Sequence, residues 1–124
     1  MNSSKHFSSE ELSCKCGQCD GEMNEEFLNR LEILRECYGR PMTLSSAYRC
    51  PEHNANEGGA DNSPHMKGVA VDVAVAGINA YDLVSCAMKK GFSGVGVFQH
   101  GDWGKRFIHI DADEGDHRPR IWDY

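Results

Sequence analysis

Hydrophobic and polar residues alternate along two short stretches of the chain. Valine occupies every second position from 69 to 75, and isoleucine occupies positions 108 and 110. A period of two is typical of a strand with one face on a core and the other on a cleft. The pattern therefore predicts strands over residues 69–75 and 107–111. It places Asp72, His109 and Asp111 on the faces opposite the valines and isoleucines.

Three other stretches carry patterns that are typical of helices. The sequence Ser8-Ser-Glu-Glu11 is a capping box and predicts a short helix near the N-terminus. Asn24 can cap a longer helix over about residues 25–37, and Asn79 can cap a further helix over residues 80–90.

Two more apolar stretches predict strands, near residues 42–46 and 94–98. Between the predicted strands at residues 42–46 and 69–75 lies a stretch rich in Asn, Gly and Glu, residues 49–63, which predicts a loop. Loops on a scaffold of strands commonly carry binding residues, so we expect this loop at the rim of a site. Helices and strands together predict an α+β fold.

Composition limits the classes of protein that fit. A chain of 124 residues with 40% hydrophobic residues forms one domain, residues 1–124, with a core of its own. The net charge of −6 disfavours a nucleic-acid surface, which needs clustered Lys and Arg. The chain has no apolar run of membrane-spanning length and no export signal at residues 1–6, so we expect no membrane partner and cytoplasmic synthesis.

Three polar residues on the predicted cleft faces form a candidate metal site. His65, Asp72 and His109 are ligands of the types that hold a catalytic zinc with one coordination position open. Gly68 allows a turn that brings His65 back over Asp72. A single histidine in a strand is usually structural, but two apolar strands that both bury polar side chains on one face need a partner or a metal. The pattern therefore predicts zinc.

The motif that contains two of these ligands, Ser63-x-His65-x-x-Gly68-x-Ala70-x-Asp72, carries a family resemblance. It resembles the signature of the zinc D-alanyl-D-alanine carboxypeptidases and related peptidoglycan endopeptidases, which share a fold with the hedgehog signalling domain. The family's flanking segments are also similar to parts of this chain, namely residues 44–54, 94–98, 107–111 and 120–122. The similarity is greatest to the branch of the family with a His-x-Asp ending. The resemblance therefore covers about residues 7–124. It implies the hedgehog/DD-peptidase fold, with a small, mostly antiparallel sheet, flanking helices and a zinc cleft.

The general base is less clearly indicated than the metal ligands. Asp111 is our first choice, because it lies two residues from His109 on the same predicted face. It can instead orient a ligand histidine or be a solvated turn carboxylate. Many members of the family carry an acidic residue three positions before the last histidine, and here that residue is Arg106. Asp102, in the preceding loop, is the second choice.

The resemblance also implies residues that contact the substrate. Arg49 matches the arginine that holds the substrate carboxylate or carbonyl oxygen near the zinc in this family, and an exposed loop arginine is the alternative. Ser63 can bond to the substrate or cap the turn before His65. His53, His100 and His117 have no partner at a suitable spacing and are predicted to be surface residues, and the alternative for His100 is a place at the mouth of the cleft.

Cysteines cluster at the N-terminus. Cys14, Cys16 and Cys19 lie within six residues, as in a metal knuckle or one short disulfide, and Cys50 can supply a fourth ligand if residues 1–23 pack on the rest of the domain. The sequence thus leaves three alternatives for this cluster: a second, structural zinc ion, a disulfide, or reduced and unpaired thiols. The two other cysteines, Cys37 and Cys86, are predicted to be core residues in helices.

These observations predict a monomeric, zinc-dependent hydrolase that cleaves an amide bond in peptidoglycan stem or cross-link peptides, as a carboxypeptidase or an endopeptidase. Synthesis without an export signal resembles a phage or prophage lysis enzyme, which acts on the wall after release, or a virion component. Two alternatives remain: a hedgehog-like module that binds zinc without hydrolysis, which Arg106 would permit, and a structural zinc domain in a larger assembly. Pocket-lining loops decide which bond is cut.

Overall fold

The computed structural model describes residues 2–124. Its helices are α1 (Ser9–Leu12), α2 (Glu25–Tyr38), α3 (Pro51–Asn56) and α4 (Gly77–Lys89). Its strands are β1 (Thr43–Ser46), β2 (Ala70–Ala74), β3 (Gly94–Phe98), β4 (Phe107–Asp111) and β5 (Arg120–Asp123). Two 3₁₀ turns, Pro64–Lys67 and Trp103–Lys105, precede β2 and β4. None of the helices within residues 2–124 has the length and apolar character needed to cross a membrane.

Across the described residues the strands form one five-stranded sheet in the order β1-β2-β4-β3-β5. The neighbours β1/β2, β2/β4 and β4/β3 are antiparallel, whereas β3 and β5 are parallel. In the central pair, Asp72 lies directly opposite His109 and Ala70 opposite Asp111. The predicted α+β class with a mostly antiparallel sheet is confirmed, and its two central strands carry the candidate metal ligands.

One face of the sheet packs on the two long helices. Val71 and Val73 of β2 and Ile108 and Ile110 of β4 are almost fully buried. They share the core with side chains of α2 and α4, including Phe27, Leu31, Leu34 and Leu83. Each such side chain stabilises the fold by about 1.5–3 kcal/mol through burial. Because these apolar residues occupy alternate positions, the polar residues between them face away from the helices.

The helix boundaries follow the sequence patterns in two cases and depart in one. Ser8 and Glu11 form the predicted capping box, and the Asn24 side chain accepts a hydrogen bond from the backbone of Phe27. Asn79, however, is not a cap, because α4 already begins at Gly77. The side chain of Gln99 accepts a hydrogen bond from the Gly77 N–H at 3.3 Å. A residue distant in sequence therefore caps the N-terminus of α4.

Two further predictions need correction. The stretch 49–63 is not entirely loop, since Pro51–Asn56 forms α3 with proline in the first turn, where its missing N–H costs nothing. Cys37 and Cys86, which were predicted only as core residues, form a disulfide between α2 and α4. The two helices pack side by side, and their positions bring the two sulfurs together.

Candidate metal centre

His65 reaches the sheet through a tight turn. It lies in the 3₁₀ turn Pro64–Lys67, where the Ser63 side chain accepts a hydrogen bond from the His65 N–H at 3.3 Å. Gly68 ends the turn with φ of +71°, and a Cβ there would lie 2.7 Å from the backbone nitrogen of Asn24. Only glycine fits both the left-handed backbone and this close approach. The turn directs His65 back towards β2, as predicted.

The structure brings together all three predicted metal ligands. Nδ1 of His109 lies 2.9 Å from Oδ1 of Asp72, and Nε2 of His65 lies 3.3 Å from the same oxygen. One ligand atom from each residue can be chosen such that all lie within 4.8 Å of one another. His65, Asp72 and His109 are 3%, 8% and 5% exposed. We call these three residues the metal triad.

The second nitrogen of each histidine is already engaged. Nδ1 of His65 lies 2.7 Å from the carbonyl oxygen of Ala47, so this nitrogen carries the proton and donates it. Nε2 of His109 lies 2.7 Å from Oδ2 of Asp111 and donates likewise. The remaining nitrogen of each ring faces Asp72 and, in the neutral imidazole, presents a lone pair to it. Two lone pairs and a carboxylate oxygen repel one another unless a cation or a proton lies between them, so this donor set fits zinc.

The ionisation of the triad shows the same need for positive charge. Burial acts to raise the pKa of Asp72, yet the hydrogen bonds from His109 and His65 hold it well below its usual range. Burial acts to lower the pKa of His109, but its hydrogen bonds with Asp111 and Asp72 raise it. Both shifts stabilise the charged forms, so the site favours a positive charge beside the Asp72 carboxylate.

An open cavity of about 610 Å³ lies against the triad. Besides the triad it is lined by Arg49, Ser63, His117, Arg118, Arg120, Trp122 and Tyr124, among others. The segment from His117 to Tyr124 was not predicted to contribute, because its residues reach the cavity only through the pairing of β5 with β3. A buried metal triad that opens on such a cavity can present a bound metal to a substrate.

The sequence of the chain is similar to that of a known protein family. Residues 5–111 match the family model of peptidase M15. The chain belongs to the peptidase M15 family. It is 34% identical over 97 residues to the zinc D-Ala-D-Ala carboxypeptidase of Streptomyces albus G, which covers 75% of this chain. The chain spans about 35% of the length of that relative.

Within residues 2–124, Asp111 is the polar residue with the lowest solvent exposure. It is fully buried, and Arg118 donates to it twice, from Nε to Oδ1 at 3.1 Å and from Nη2 to Oδ2 at 2.9 Å. The Asp113 N–H also donates to Oδ1, at 3.1 Å. Burial acts to raise the pKa of Asp111, but hydrogen bonds from His109 and Arg118 hold it well below its usual range. This geometry favours the orienting role over the role of general base, which stays a prediction.

The two roles of Asp111 differ in their effect on metal affinity. If Asp111 orients His109, we expect Asp111→Asn to weaken zinc binding by about 10–100-fold, the usual effect of losing such a partner. If Asp111 is the base, zinc affinity stays normal and turnover alone falls by about 10²–10⁴-fold. Competition with a chromogenic chelator measures the affinity, and Asp113→Asn is the control for loss of a nearby carboxylate.

Gly94 on the neighbouring strand leaves the space that Asp111 occupies. A Cβ at Gly94 would lie 2.2–2.4 Å from the carboxylate atoms of Asp111. Because Asp111 is fully buried, its side chain cannot move aside into solvent. We expect Gly94→Ala to lower the free energy of unfolding by about 1–3 kcal/mol, as overpacking does. Gly104→Ala is the control, because nothing lies within 4 Å of that Cβ position. Equal denaturant midpoints for the two variants would contradict this account.

The second-choice base and the family's acidic position lie away from the triad. Asp102 is exposed and precedes the turn Trp103–Lys105. Arg106 donates to the carbonyl oxygen of Gly101 at 3.0 Å and lies over the Trp103 ring. Neither residue lines the cavity beside the triad. The structure therefore does not bring Asp102 to the site.

Arg49 lies beside the triad and is held by three side chains. Its guanidinium donates to Ser46 Oγ at 3.0 Å, to Asn54 Oδ1 at 3.3 Å and to Asp72 Oδ2 at 3.4 Å. It is thus not a freely exposed loop arginine, and it lines the cavity together with Ser63. His117 is exposed and also lines the cavity, whereas His53 and His100 do not.

Proposed function

We propose that this M15 chain is a zinc-dependent hydrolase that cleaves an amide bond in peptidoglycan peptides, as a carboxypeptidase or an endopeptidase. The observation that carries the proposal is the metal triad, in which one ring nitrogen of each histidine faces the Asp72 carboxylate beside an open cavity. Family membership and the carboxypeptidase activity for which the Streptomyces relative is named support the choice of zinc and of substrate class.

His65, Asp72 and His109 would hold the metal in this proposal. Zinc held there would lower the pKa of a bound water to about 7 and polarise the scissile carbonyl. The chain's own contribution is rigid placement: Ala47 and Asp111 fix the protonated nitrogen of each histidine, and Arg118 neutralises the buried Asp111. Ligands held in this way lose little freedom when the metal binds.

Arg49 is the residue we propose to bind the substrate. Its fork of donors is fixed by Ser46 and Asn54 and lines the cavity next to the triad. A guanidinium so placed can bind a peptide carboxylate in two-point fashion, or the oxygen that gains negative charge during amide hydrolysis. Either contact orients the scissile bond over the metal ligands. Ser63, which caps the turn before His65, is the neighbouring polar group for the substrate backbone.

Digestion of labelled peptidoglycan by the purified chain tests the proposal. Mass analysis of the fragments identifies the bond, and free D-alanine distinguishes a carboxypeptidase from an endopeptidase. We expect zinc-dependent cleavage that is lost in His109→Ala. Full zinc occupancy without cleavage of any peptidoglycan peptide would instead support the zinc-binding module, the second candidate, which the absence of an acidic residue at position 106 permits.

The finer proposal is that hydrolysis serves the lysis of a cell wall, by a chain made in the cytoplasm and released to the wall or carried in a virion. The resemblance of Phe107–Asp111 to the His-x-Asp branch supports it. Purified chain should then solubilise intact wall sacculi. Cleavage of free peptides with no solubilisation of sacculi would contradict the lytic role and leave the hydrolase in place.

A further inference from the structure

Four cysteine thiols lie close together, and one of them belongs to Cys50, which follows Arg49 in the chain. One sulfur each from Cys14, Cys16, Cys19 and Cys50 lies within 4.8 Å of all the others. The Sγ atoms of Cys14 and Cys50 are 3.7 Å apart, and those of Cys50 and Cys16 are 3.8 Å apart. We call these residues the thiol cluster. It joins the N-terminal segment to the residue that follows Arg49.

The spacing of the sulfurs distinguishes metal binding from disulfide formation. In a tetrahedral site with Zn–S distances of about 2.3 Å, two sulfurs lie about 3.8 Å apart. A disulfide requires about 2.05 Å, and no disulfide joins cluster cysteines in the described residues. The measured separations of 3.7 and 3.8 Å match the edge of a tetrahedron. The spacing Cys16-Gly-Gln-Cys19 is also one that recurs in four-thiolate zinc sites.

Backbone N–H groups surround the cluster. The N–H of Cys50 donates to Cys14 Sγ, and the N–H of Gln18 donates to Cys16 Sγ, both at 3.4 Å. Donors aimed at these two sulfurs stabilise negative charge on them and supply outer partners of the kind that bound thiolates require.

We propose that Cys14, Cys16, Cys19 and Cys50 bind a structural zinc ion, separate from the metal triad. Four thiolates leave no open coordination position, so this ion would have no catalytic role. Its function is to fix the N-terminal segment to the loop that carries Arg49.

The segment 47–50 shows what such an ion would hold in place. The Ala47 carbonyl and the Arg49 N–H bond to His65, at 2.7 and 3.2 Å. Tyr48 and Cys50, which alternate with these residues, bond instead to the N-terminal segment. The Tyr48 N–H donates to the Leu12 carbonyl at 3.3 Å, and the Cys50 N–H donates to Cys14 Sγ. Alternate residues of one extended segment therefore contact the triad and the N-terminal segment.

Contact between the two segments continues beyond the sulfurs. A Cβ at Gly21 would lie 2.1 Å from the Tyr48 ring, so the backbone that follows Cys19 packs directly on that ring. Phe7 and Leu12 of the N-terminal segment are buried in the core. Zinc in the thiol cluster would thus stabilise the position of the backbone that bonds to His65.

Metal counting on the full chain tests the proposal. We expect two zinc ions per chain after purification under reducing conditions, one in His109→Ala and one in the double variant Cys16→Ser/Cys19→Ser. The matched control is Cys37→Ser/Cys86→Ser, which removes two cysteines outside the cluster and keeps both ions. One ion in the wild type, with the cluster cysteines either free or linked by disulfides in an intact-mass measurement, would overturn the proposal.

Two further readouts identify the ligands without reference to activity. Cobalt loaded into His109→Ala should give the intense near-ultraviolet charge-transfer absorption of cobalt–thiolate bonds, and Cys16→Ser/Cys19→Ser should lack it. Cys19→His should keep the second ion, since imidazole also ligates zinc. Hydrogen exchange at Tyr48 and Cys50 should accelerate when the cluster is removed. These results do not depend on peptidoglycan cleavage, so the proposed function can fail while the thiol site stands; absence of the thiolate absorption would refute the site alone.

Discussion

Replacement of any metal-triad residue by alanine should reduce peptidoglycan-peptide turnover to background. His65→Ala, Asp72→Ala and His109→Ala each leave two ligands, fewer than the three protein ligands that a catalytic zinc site has. Loss of several kcal/mol of transition-state stabilisation corresponds to at least about a 10³-fold fall in kcat/KM. Zinc content and fragment release are measured on the same samples.

His100→Ala is the matched control for the triad variants. His100 is exposed and does not line the cavity, although it bonds to the carbonyl of Tyr124 at 3.2 Å. It should keep both zinc and turnover. Full zinc content in all three triad variants would show that the metal binds elsewhere, and undiminished turnover in any of them would contradict the assignment of that ligand.

Arg49→Ala should lower kcat/KM by about 10²–10³-fold while zinc stays bound. The expected loss is that of one donor to a developing oxyanion, about 3–4 kcal/mol. Arg49→Lys keeps the charge but loses the fork that Ser46 and Asn54 hold in place, so it should fall between wild type and Arg49→Ala. Kinetics on a defined stem peptide measure both variants.

The control for Arg49 is an arginine with a similar ion pair on the surface. Arg40 donates to Asp82 at 3.0 Å with both side chains well exposed, and Arg40→Ala should change neither zinc content nor turnover. Wild-type kinetics in Arg49→Ala would show that this arginine only supports Asp72. Loss of zinc in Arg49→Lys would assign it to the metal site instead of the substrate.

The sequence pattern predicted the central strands and the side chains that they direct into the cleft. Valine and isoleucine at alternate positions determine which face of each strand is buried in the core. The period of two alone therefore predicted that Asp72 and His109 lie on the other face. Gly68 was recognised as the break that returns His65 to Asp72, because few other residues adopt a left-handed backbone. Local rules were sufficient where local geometry decides the outcome.

The parts that sequence reasoning missed depend on contacts between distant residues. Arg118 reaches Asp111 only because the segment after β4 folds back before β5 begins. No rule based on sequence spacing predicts this ion pair. Gln99 replaces Asn79 at the start of α4 for the same reason. The helix α3 was missed because its Asn-rich composition is typical of loops.

Stepwise return of zinc to metal-stripped chain tests the central claim most directly. With the thiol cluster replaced by Cys16→Ser/Cys19→Ser, only the triad remains to bind zinc among the two sites described. We expect peptidoglycan-peptide cleavage to rise in proportion to zinc bound and to level off at one ion per chain, with His109→Ala inactive throughout. Cleavage by the metal-free chain, or none at one bound zinc per chain in the otherwise wild-type protein, would contradict the account.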